Sequence, residues 1–219
     1  MIEILFADEH VVVANKPSGL LVHRGWADDE DVALFRVRDT IGARVHPIHR
    51  LDRGTSGALV FARTTEAAGK LSRSFEAHDV DKRYLALVRG APPEEGVVDY
   101  AVPKTEDTKG PRVAAVTHYR LVAKSAVDRC ALVEARPLTG RLHQIRRHLR
   151  HLSHPLVGDV TYGDGRVNRH YRTTYDLHRL ALHAASVTFP HPRDGARMTV
   201  TAPLPADLAE PLRRLGLAA

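Results

Sequence analysis

Cysteine is almost absent from this chain, because Cys130 is the one cysteine among 219 residues. A disulfide within the chain is therefore excluded, and so is a zinc site built on several thiolates. Long apolar runs are missing as well, since none approaches the roughly 18 residues that a membrane-spanning helix needs. The sequence thus predicts neither a disulfide scaffold nor a membrane protein.

The chain also lacks the features of an exported or modular protein. Its first residues, MIEILFADEH, carry acids where a secretory signal peptide carries positive charge. No repeat, low-complexity segment or Pro/Gly/Ser-rich linker interrupts the sequence. We therefore expect a cytoplasmic protein with one domain over residues 1–219, with no membrane association and no obligate protein partner.

Lysine is scarce, and arginine supplies most of the positive charge. Of the 32 basic residues only 6 are lysine, so that 26 are arginine, and the formal net charge is +6. Arginine binds phosphate through two parallel hydrogen bonds and stacks on bases, which suits RNA. Many basic proteins bind no nucleic acid, however, so the composition favours a polyanionic partner without deciding it.

The apolar pattern predicts a mixed α/β or α+β fold, because strands and helices do not alternate regularly. We predict helices after Thr64 or Thr65, over residues 139–155 and after Pro205. Residues 104–112 and 161–176 are predicted to be long polar loops. Strands are predicted at 2–6, 10–15, 57–63, 82–90, 113–122, 129–136, 182–189 and 197–202.

The stretch HRLDRGTSG, residues 49–57, places Asp52 between Arg50 and Arg53 and continues into the apolar run ALVFAR. Neighbouring arginines favour the ionised form of a carboxylate. The glycines allow the loop to approach a ligand closely. A G-x-S-x-G elbow is missing, so Ser56 is not predicted to be a hydrolase nucleophile. We interpret the loop as built around an ionised Asp52.

A second dense stretch, TGRLHQIRRHLRHLSHP at 139–155, predicts an amphipathic helix capped by Thr139 and ended by Pro155. Arg146 falls beside its apolar stripe and should be partly buried, so it needs a carboxylate partner, for which Asp52 is the candidate. The predicted apolar stripe contains Leu142, Ile145, Leu149 and Leu152. The opposite face contains His143, Arg147, Arg150 and His151.

The histidines of this segment are the one place where a metal site could be considered. Pairs at i, i+3 could face a common ion, and they involve His143, His148, His151 and His154. The segment contains no Asp or Glu, and the neighbouring arginines would repel a cation. The pattern therefore favours a solvated basic face, and we predict no metal.

Four segments occur in a fixed order and together resemble the successive motifs of the RluA-type pseudouridine synthases. They are DEHVVVANKPSGLLVH, HRLDRGTSG, KRYLALVRG and TGRLHQIRRHLRHLSHPLVGD, and the resemblance runs from about residue 8 to about residue 202. It implies a mixed, mainly antiparallel sheet with flanking helices and a central RNA-binding cleft. It also implies an isomerase that acts on a uridine in structured RNA without a cofactor. The N-terminal S4 RNA-binding domain that many members carry is not expected here.

Three more segments, LVHRGW, GPRVAAVTHYR and HPLVGDVTYGDGRVNR, are most similar to members of this family that modify uridine 65 in the T-arm stem of tRNA. The resemblance therefore implies tRNA as the RNA partner. The same chemistry on ribosomal RNA is left open, as is a catalytically silent RNA-binding module. A metal-dependent nuclease is a more distant alternative, which activity in the presence of EDTA would exclude.

The resemblance also implies roles for single residues. Asp52 matches the catalytic aspartate, Tyr84 the tyrosine that packs on the flipped uracil, and Arg146 the arginine paired with that aspartate. Arg50 matches the arginine that enters the RNA helix where the base leaves. A satisfied core tyrosine is the alternative for Tyr84, and Trp26 could be a core anchor or a loop contact. Further RNA contacts are predicted at His49, Arg53, Arg141, His143, Arg147 and Arg150.

Overall fold

The structure is a computed structural model that describes residues 1–24, 30–107 and 109–217. Trp26, whose role the sequence leaves open, lies outside these residues. The chain forms two compact units, of which the first comprises Met1–Lys82 with Ala184–Pro203 and the second Arg83–His183 with Leu204–Ala219. Each unit is described by itself.

Strands and helices are numbered in chain order. The strands are β1 (Glu3–Ala7), β2 (Val11–Lys16), β3 (His46–Pro47), β4 (Ser56–Ala62), β5 (Asp81–Arg89), β6 (Glu95–Asp99), β7 (Val102–Pro103), β8 (Arg112–Val113), β9 (Val116–Lys124), β10 (Cys130–Pro137), β11 (Leu182–Pro190) and β12 (Arg197–Thr201). The helices are α1 (Ala33–Ile41), α2 (Thr65–Glu76), α3 (Gln144–His151), α4 (Gly165–Tyr175) and α5 (Ala206–Arg214).

The first unit is built around strand β4. The strands lie in the order β1–β2–β4–β11, with β3 paired to β4 and β12 paired to β11. All seven residues of β4 are buried, which its apolar sequence SGALVFA permits on both faces. Helix α2 begins at the cap Thr64, whose hydroxyl accepts a hydrogen bond from the Ala67 amide, and it packs Leu71 into the same core. The loop before β4 is therefore attached to a rigid strand.

The second unit has the strand order β5–β10–β9–β6, and its pairings are antiparallel. Strands β7 and β8 form a separate two-stranded sheet. One core cluster of this unit joins Leu87 and Leu132 of the sheet to Leu177 and to Leu208 and Leu212 of α5. Helix α3 packs against β9 and β10, and this packing positions the dense 139–155 segment.

The prediction of a mixed α/β fold with a mainly antiparallel sheet is confirmed, and the predicted strands match β1, β2, β4, β5, β9, β10, β11 and β12 within a few residues. The prediction of a loop over 161–176 was wrong, because Gly165–Tyr175 is helix α4. Asp164 caps it by accepting hydrogen bonds from the amides of Arg166 and Val167. Helix α1 and strands β3, β6 and β7 were not predicted.

The helix predicted over 139–155 is shorter in the structure. Helix α3 begins at Gln144 and ends at His151, and its N-cap, His143, has a left-handed backbone with φ 53°. Thr139 does not cap it. The Thr139 hydroxyl instead donates a hydrogen bond to the Gln144 side chain at 2.6 Å. No helix of the described ranges is long and apolar enough to cross a membrane.

Candidate active site

The loop that contains Asp52 begins at His49, which the structure uses as an anchor. The Nε2 atom of His49 accepts a hydrogen bond from the Val60 amide of β4 at 3.1 Å. Its ring stacks on Phe75 of α2 with the centroids 4.8 Å apart. Burial, together with the charge of Lys82, lowers the pKa of His49 to about 3. This neutral ring packs against β4 and α2 of the first unit, and an RNA contact at His49 stays a prediction.

The carboxylate itself lies in a tight turn. The Thr55 amide donates to the Asp52 carbonyl at 3.0 Å, which closes a four-residue turn over Asp52 to Thr55. The Asp52 side chain is half-buried, whereas Arg50 and Arg53 are exposed. The turn thus places a half-buried carboxylate between two exposed arginines.

Arg53 ties this turn to the preceding loop of the same unit. Its Nε donates to the Gly19 carbonyl at 2.9 Å, and the Gly19 amide donates back to the Arg53 carbonyl at 2.8 Å. The Ser18 hydroxyl donates to the Gly54 carbonyl at 2.8 Å. Arg53 therefore holds two loops together, a contribution that the sequence did not predict.

Lys16 reinforces the same junction from inside. Its side chain is completely buried, and its ammonium donates to the carbonyls of Pro17 (2.9 Å), Leu20 (2.7 Å) and Arg53 (3.2 Å). A buried ammonium is costly unless several acceptors surround it. Because these acceptors belong to both loops, Lys16 fixes the backbone on which the Asp52 turn rests.

Gly57 allows two strands to pack closely, whereas the sequence suggested that it lets the loop approach a ligand. Its φ is +113°, and a Cβ atom there would lie 2.2 Å from the Ala184 carbonyl oxygen. Only glycine combines this backbone conformation with so close a contact. Gly57 lets β4 approach β11 immediately after the Asp52 turn, and close approach of this loop to RNA stays a prediction.

Tyr84 lies on β5 of the second unit, directly opposite Ala135 of β10. Its side chain is largely buried, with 9% exposed. A strand position of this kind holds an aromatic ring rigidly. The stacking of Tyr84 on a flipped base stays a prediction.

Arg146 is the buried cation that the helical pattern predicted, with 7% exposed. Its Nε donates to Oδ2 of Asp159 at 2.8 Å, and its Nη2 donates to Oδ1 at 2.9 Å. Asp159 is a partner that the sequence analysis did not name. The required carboxylate is thus supplied within the second unit, and the pairing of Arg146 with Asp52 stays a prediction.

Asp159 is held by several further donors. The amides of Thr161 and Tyr162 donate to its Oδ1 at 2.9 and 3.0 Å. Burial opposes ionisation, but the hydrogen bonds from Arg146 and from these amides outweigh it and lower the pKa of Asp159. The side chain of Asn168 fixes the backbone on both sides, through the Gly158 amide and the Asp159 carbonyl. Asp159 therefore orients the Arg146 guanidinium.

The ring of Tyr162 covers this ion pair. The guanidinium carbon of Arg146 lies 5.0 Å from the ring centroid, and that of Arg147 lies 5.7 Å away. The Tyr162 hydroxyl accepts from Arg147 Nε at 2.8 Å and lies 3.1 Å from His143 Nδ1. Tyr162 thus connects Arg146, Arg147 and His143, the last of which is half-buried.

Arg147 does not lie on the exposed face that the helical pattern predicted for it, and its contact with RNA stays a prediction. Only 8% of it is exposed, and its Nη atoms donate to the carbonyls of Pro103 (2.7 Å), Leu142 (3.1 Å) and Thr105 (3.1 Å). The chain around β7 covers Arg147, whereas Arg150 and His151 of the same predicted face are exposed. Arg147 is a structural residue.

The side chain of His148, also on α3, is completely buried. Its ring is bonded to the Thr117 hydroxyl and the Tyr100 carbonyl, each at 2.9 Å, and burial lowers its pKa. His151 stacks on Tyr100 with the centroids 3.8 Å apart. Within the described residues, no group of three or more His, Cys, Asp or Glu side chains could hold a metal.

Arg141 and Arg150 are the exposed arginines at the two ends of this segment. Arg141 Nε donates to the Ala114 carbonyl at 3.2 Å, and Arg150 Nη1 donates to the Tyr162 carbonyl at 3.1 Å. Both remain accessible to a polyanion, and their contact with RNA stays a prediction.

Comparison with known proteins decides the family. Residues 10–151 match the model of the RNA pseudouridylate synthase family. The chain belongs to this family. The enzyme is therefore an isomerase that forms pseudouridine in RNA, as the resemblance of its motifs implied.

Curated relatives of this synthase are similar over most of the chain. A Vibrio parahaemolyticus protein named tRNA pseudouridine synthase C is 44% identical over 210 residues, which cover 87% of this chain and 85% of the relative. A Pectobacterium carotovorum protein of the same name is 43% identical over 222 residues, covering 92% of this chain but 59% of the relative. The synthase thus spans most of the first relative's length and about three fifths of the second's.

Solved structures agree with this assignment. The structure titled Human RNA Pseudouridylate Synthase Domain Containing 4 has a TM-score of 0.79 and 30% identity, and the match covers 98% of this synthase and 93% of the human chain. Human RNA Pseudouridylate Synthase Domain Containing 1 has a TM-score of 0.76 and 28% identity, over 95% and 86% of the two chains. The synthase fold therefore extends over nearly the whole chain.

Sequence reasoning missed three residues of this synthase that support the predicted site. Lys16, Asp159 and Tyr162 hold the Asp52 turn or the Arg146 guanidinium through the contacts given above. A signal for Asp159 was present, because it follows Gly158 at the end of the HPLVGD segment. Its pairing with Arg146, thirteen residues earlier, requires the turn that only the structure shows.

Proposed function

We propose that this synthase converts uridine 65 in the T-arm stem of tRNA to pseudouridine. The observation that carries the proposal is the similarity to relatives named tRNA pseudouridine synthase C, at 44% identity over 85% of the Vibrio parahaemolyticus protein. The net charge of +6 suits an RNA substrate. A tRNA substrate places the action of the enzyme in the cytoplasm.

The chemistry requires few protein groups. The bond from uracil N1 to ribose C1′ breaks, the base turns, and C1′ bonds to C5. The proton on C5 is lost to solvent while N1 gains one, so the isomerisation needs no oxidant. An ionised carboxylate beside C1′ can attack it, stabilise positive charge on the sugar or remove a ribose proton. We assign this carboxylate to Asp52, and the choice among the three actions is left open.

The remaining assignments follow the family motifs. A uridine in a stem must leave the stack before it reacts, at a cost of a few kcal/mol. The exposed Arg50 next to Asp52 is suited to fill the gap, and Tyr84 to stack on the extruded base. We propose that Arg146 acts on the same site as a cation held by Asp159 and Tyr162. Arg53 has a second duty, because it also fixes the loop.

Ribosomal RNA is the alternative substrate, and a catalytically silent binding module is the alternative from another class. Mapping pseudouridine in cellular tRNA and rRNA, with and without the gene, separates them. We expect loss of pseudouridine at tRNA position 65 and its return with a plasmid copy. Loss at an rRNA position alone would establish the alternative substrate, and an unchanged map would contradict the proposal.

A further inference from the structure

The basic face of helix α4 has no function in the site described above. The helix contains Arg166, Arg169 and Arg172 and no acidic residue, so it carries three positive charges. All three arginines are exposed. At 100° per residue they lie within an arc of about 120°, spread over about 9 Å of helix. They therefore form one continuous charged surface, the α4 face.

These arginines differ from most other surface arginines of the molecule. Many other surface arginines form ion pairs with a carboxylate at 2.7–3.0 Å. Examples are Arg197 with Asp79, Arg193 with Asp194, and both Arg213 and Arg214 with Glu210. By contrast, Arg166, Arg169 and Arg172 form no side-chain hydrogen bond or ion pair with any part of the chain that the structure describes. The α4 face thus keeps its full charge.

Folding explains only Arg172, which lies in the last turn of α4, where the helix dipole favours a cation. Arg166 lies in the first turn of α4, where the helix dipole disfavours a cation by about 0.3–1 kcal/mol. Arg166 and Arg169, and Arg169 and Arg172, are like charges at i, i+3, which repel each other. The cap Asp164 attracts Arg166 but already accepts hydrogen bonds from two amides of the helix. The positive charge at Arg166 and Arg169 is therefore unfavourable for the isolated protein, and an anionic ligand would offset it.

Two more arginines extend the surface at the beginning of α4. Arg150 donates to the Tyr162 carbonyl in the turn that precedes the helix. Arg89 lies 3.8 Å from the Asp164 carboxylate. This turn also contains Asp159, which holds Arg146. The α4 face is therefore continuous with the segment that supports Arg146.

We propose that the α4 face binds the phosphate backbone of the RNA substrate and supplies affinity without reading bases. This inference rests on the proposed function for its substrate. Arginine side chains on one helix face match phosphates by charge and by hydrogen-bonding geometry. None of the three arginines is needed for the chemical step, so they should act on binding and not on turnover.

The test compares two variants that each lose three positive charges. The first is R166Q/R169Q/R172Q, and the matched control is R193Q/R213Q/R214Q, whose arginines are paired with carboxylates. Dissociation constants for unmodified tRNA are measured from 50 to 300 mM salt, together with single-turnover rates at saturating enzyme and the thermal midpoint.

We expect the α4 variant to bind tRNA about tenfold more weakly at 150 mM salt, with a salt slope lower by about 2 to 3, because each phosphate contact contributes about 0.9. Its saturating rate should match wild type, and its thermal midpoint should be equal or higher because the repulsion is removed. An unchanged affinity, or an equal loss in the control, would overturn the inference. Failure of wild-type enzyme to bind or modify tRNA would instead reject the proposed function.

Discussion

Asp159 accepts two hydrogen bonds from the guanidinium of Arg146, from Nε to Oδ2 at 2.8 Å and from Nη2 to Oδ1 at 2.9 Å. Both side chains are buried, and the ring of Tyr162 lies against the guanidinium. Such a pair fixes both the plane and the direction of the arginine. Whatever Arg146 contacts in the reaction, Asp159 determines its orientation.

Replacing Asp159 by Asn tests this pair. Asn keeps the shape but loses the charge, so the buried cation of Arg146 loses its paired anion. We expect a loss of about 2–4 kcal/mol in the free energy of unfolding and at least a tenfold fall in turnover, with tRNA affinity little changed. Asp79→Asn, which breaks an exposed pair with Arg197, should cost under about 1 kcal/mol. Equal effects of the two variants would contradict the orienting function.

Arg147 and Arg150, three residues apart on α3, should respond in opposite ways. Arg147→Gln leaves the carbonyls of Pro103, Thr105 and Leu142 without their donor, so it should cost about 2–4 kcal/mol of stability. Arg150→Gln should cost under about 1 kcal/mol but weaken tRNA binding several-fold. Urea unfolding and filter binding on both proteins measure the contrast. A stable Arg147→Gln protein with weakened RNA binding would contradict the structural function of Arg147 and favour its predicted RNA contact.

Replacing Lys16 tests whether its buried ammonium holds the Asp52 turn in place. Lys16→Met has similar length but removes the ammonium that the Pro17, Leu20 and Arg53 carbonyls share, and we expect a loss of about 2–3 kcal/mol. Turnover should fall as well, since the loops would no longer be fixed to each other. The control is Lys70→Met, because Lys70 is partly exposed and pairs with Glu66 on α2. If both variants unfold at the same urea concentration, Lys16 does not fix the loops.

His49 makes stability depend on pH. Its pKa is about 3 in the folded protein and about 6.5 in an unfolded chain. The unfolded state therefore binds a proton first as the pH falls. Between about pH 6.5 and pH 3 the native state loses about 1.4 kcal/mol of stability per pH unit. The stabilising contribution is complete above pH 6.5 and decreases down to about pH 3.

The variant that checks this is His49→Gln, which keeps an acceptor for the Val60 amide but does not titrate. Urea unfolding at pH 7.5, 6 and 5 should give a smaller slope for the variant than for wild type. The slope should not vanish, because burial lowers the pKa of His148 in the same direction. Identical slopes would mean that His49 is not buried as a neutral ring.

The sequence predicted strands better than helices in this protein, for physical reasons. The continuous apolar run of β4 is typical of a buried strand. Thr64 has a side chain suited to cap a helix. The exposed polar face predicted for helix α3 was wrong at Arg147, because the helix is buried on nearly all sides. Its buried polar side chains form hydrogen bonds with backbone carbonyls instead of water. Helix α4 was not predicted because its buried positions are occupied by Asn168 and Tyr171 in place of aliphatic residues, so the sequence shows no apolar stripe.

The site was predicted in its residues more than in its contacts. Asp52 stands out by its flanking arginines, and the helical spacing predicted the burial of Arg146. Their roles in the reaction stay predictions. The partners could not, since Asp159 reaches Arg146 through a turn and Lys16 acts through backbone carbonyls. Such contacts depend on backbone geometry, which no residue pattern specifies.

Asp52→Asn tests the central claim most directly. The amide keeps the shape of the carboxylate but cannot attack C1′, stabilise a cationic sugar by charge or remove a proton. Affinity should survive because phosphate contacts supply most of it. The measurement is tritium release from tRNA labelled at uracil C5, run beside filter binding and thermal unfolding on the same protein. We predict a folded protein that binds tRNA near wild-type affinity and releases no tritium above background. Tritium release near the wild-type rate from folded, RNA-binding Asp52→Asn enzyme would contradict the account.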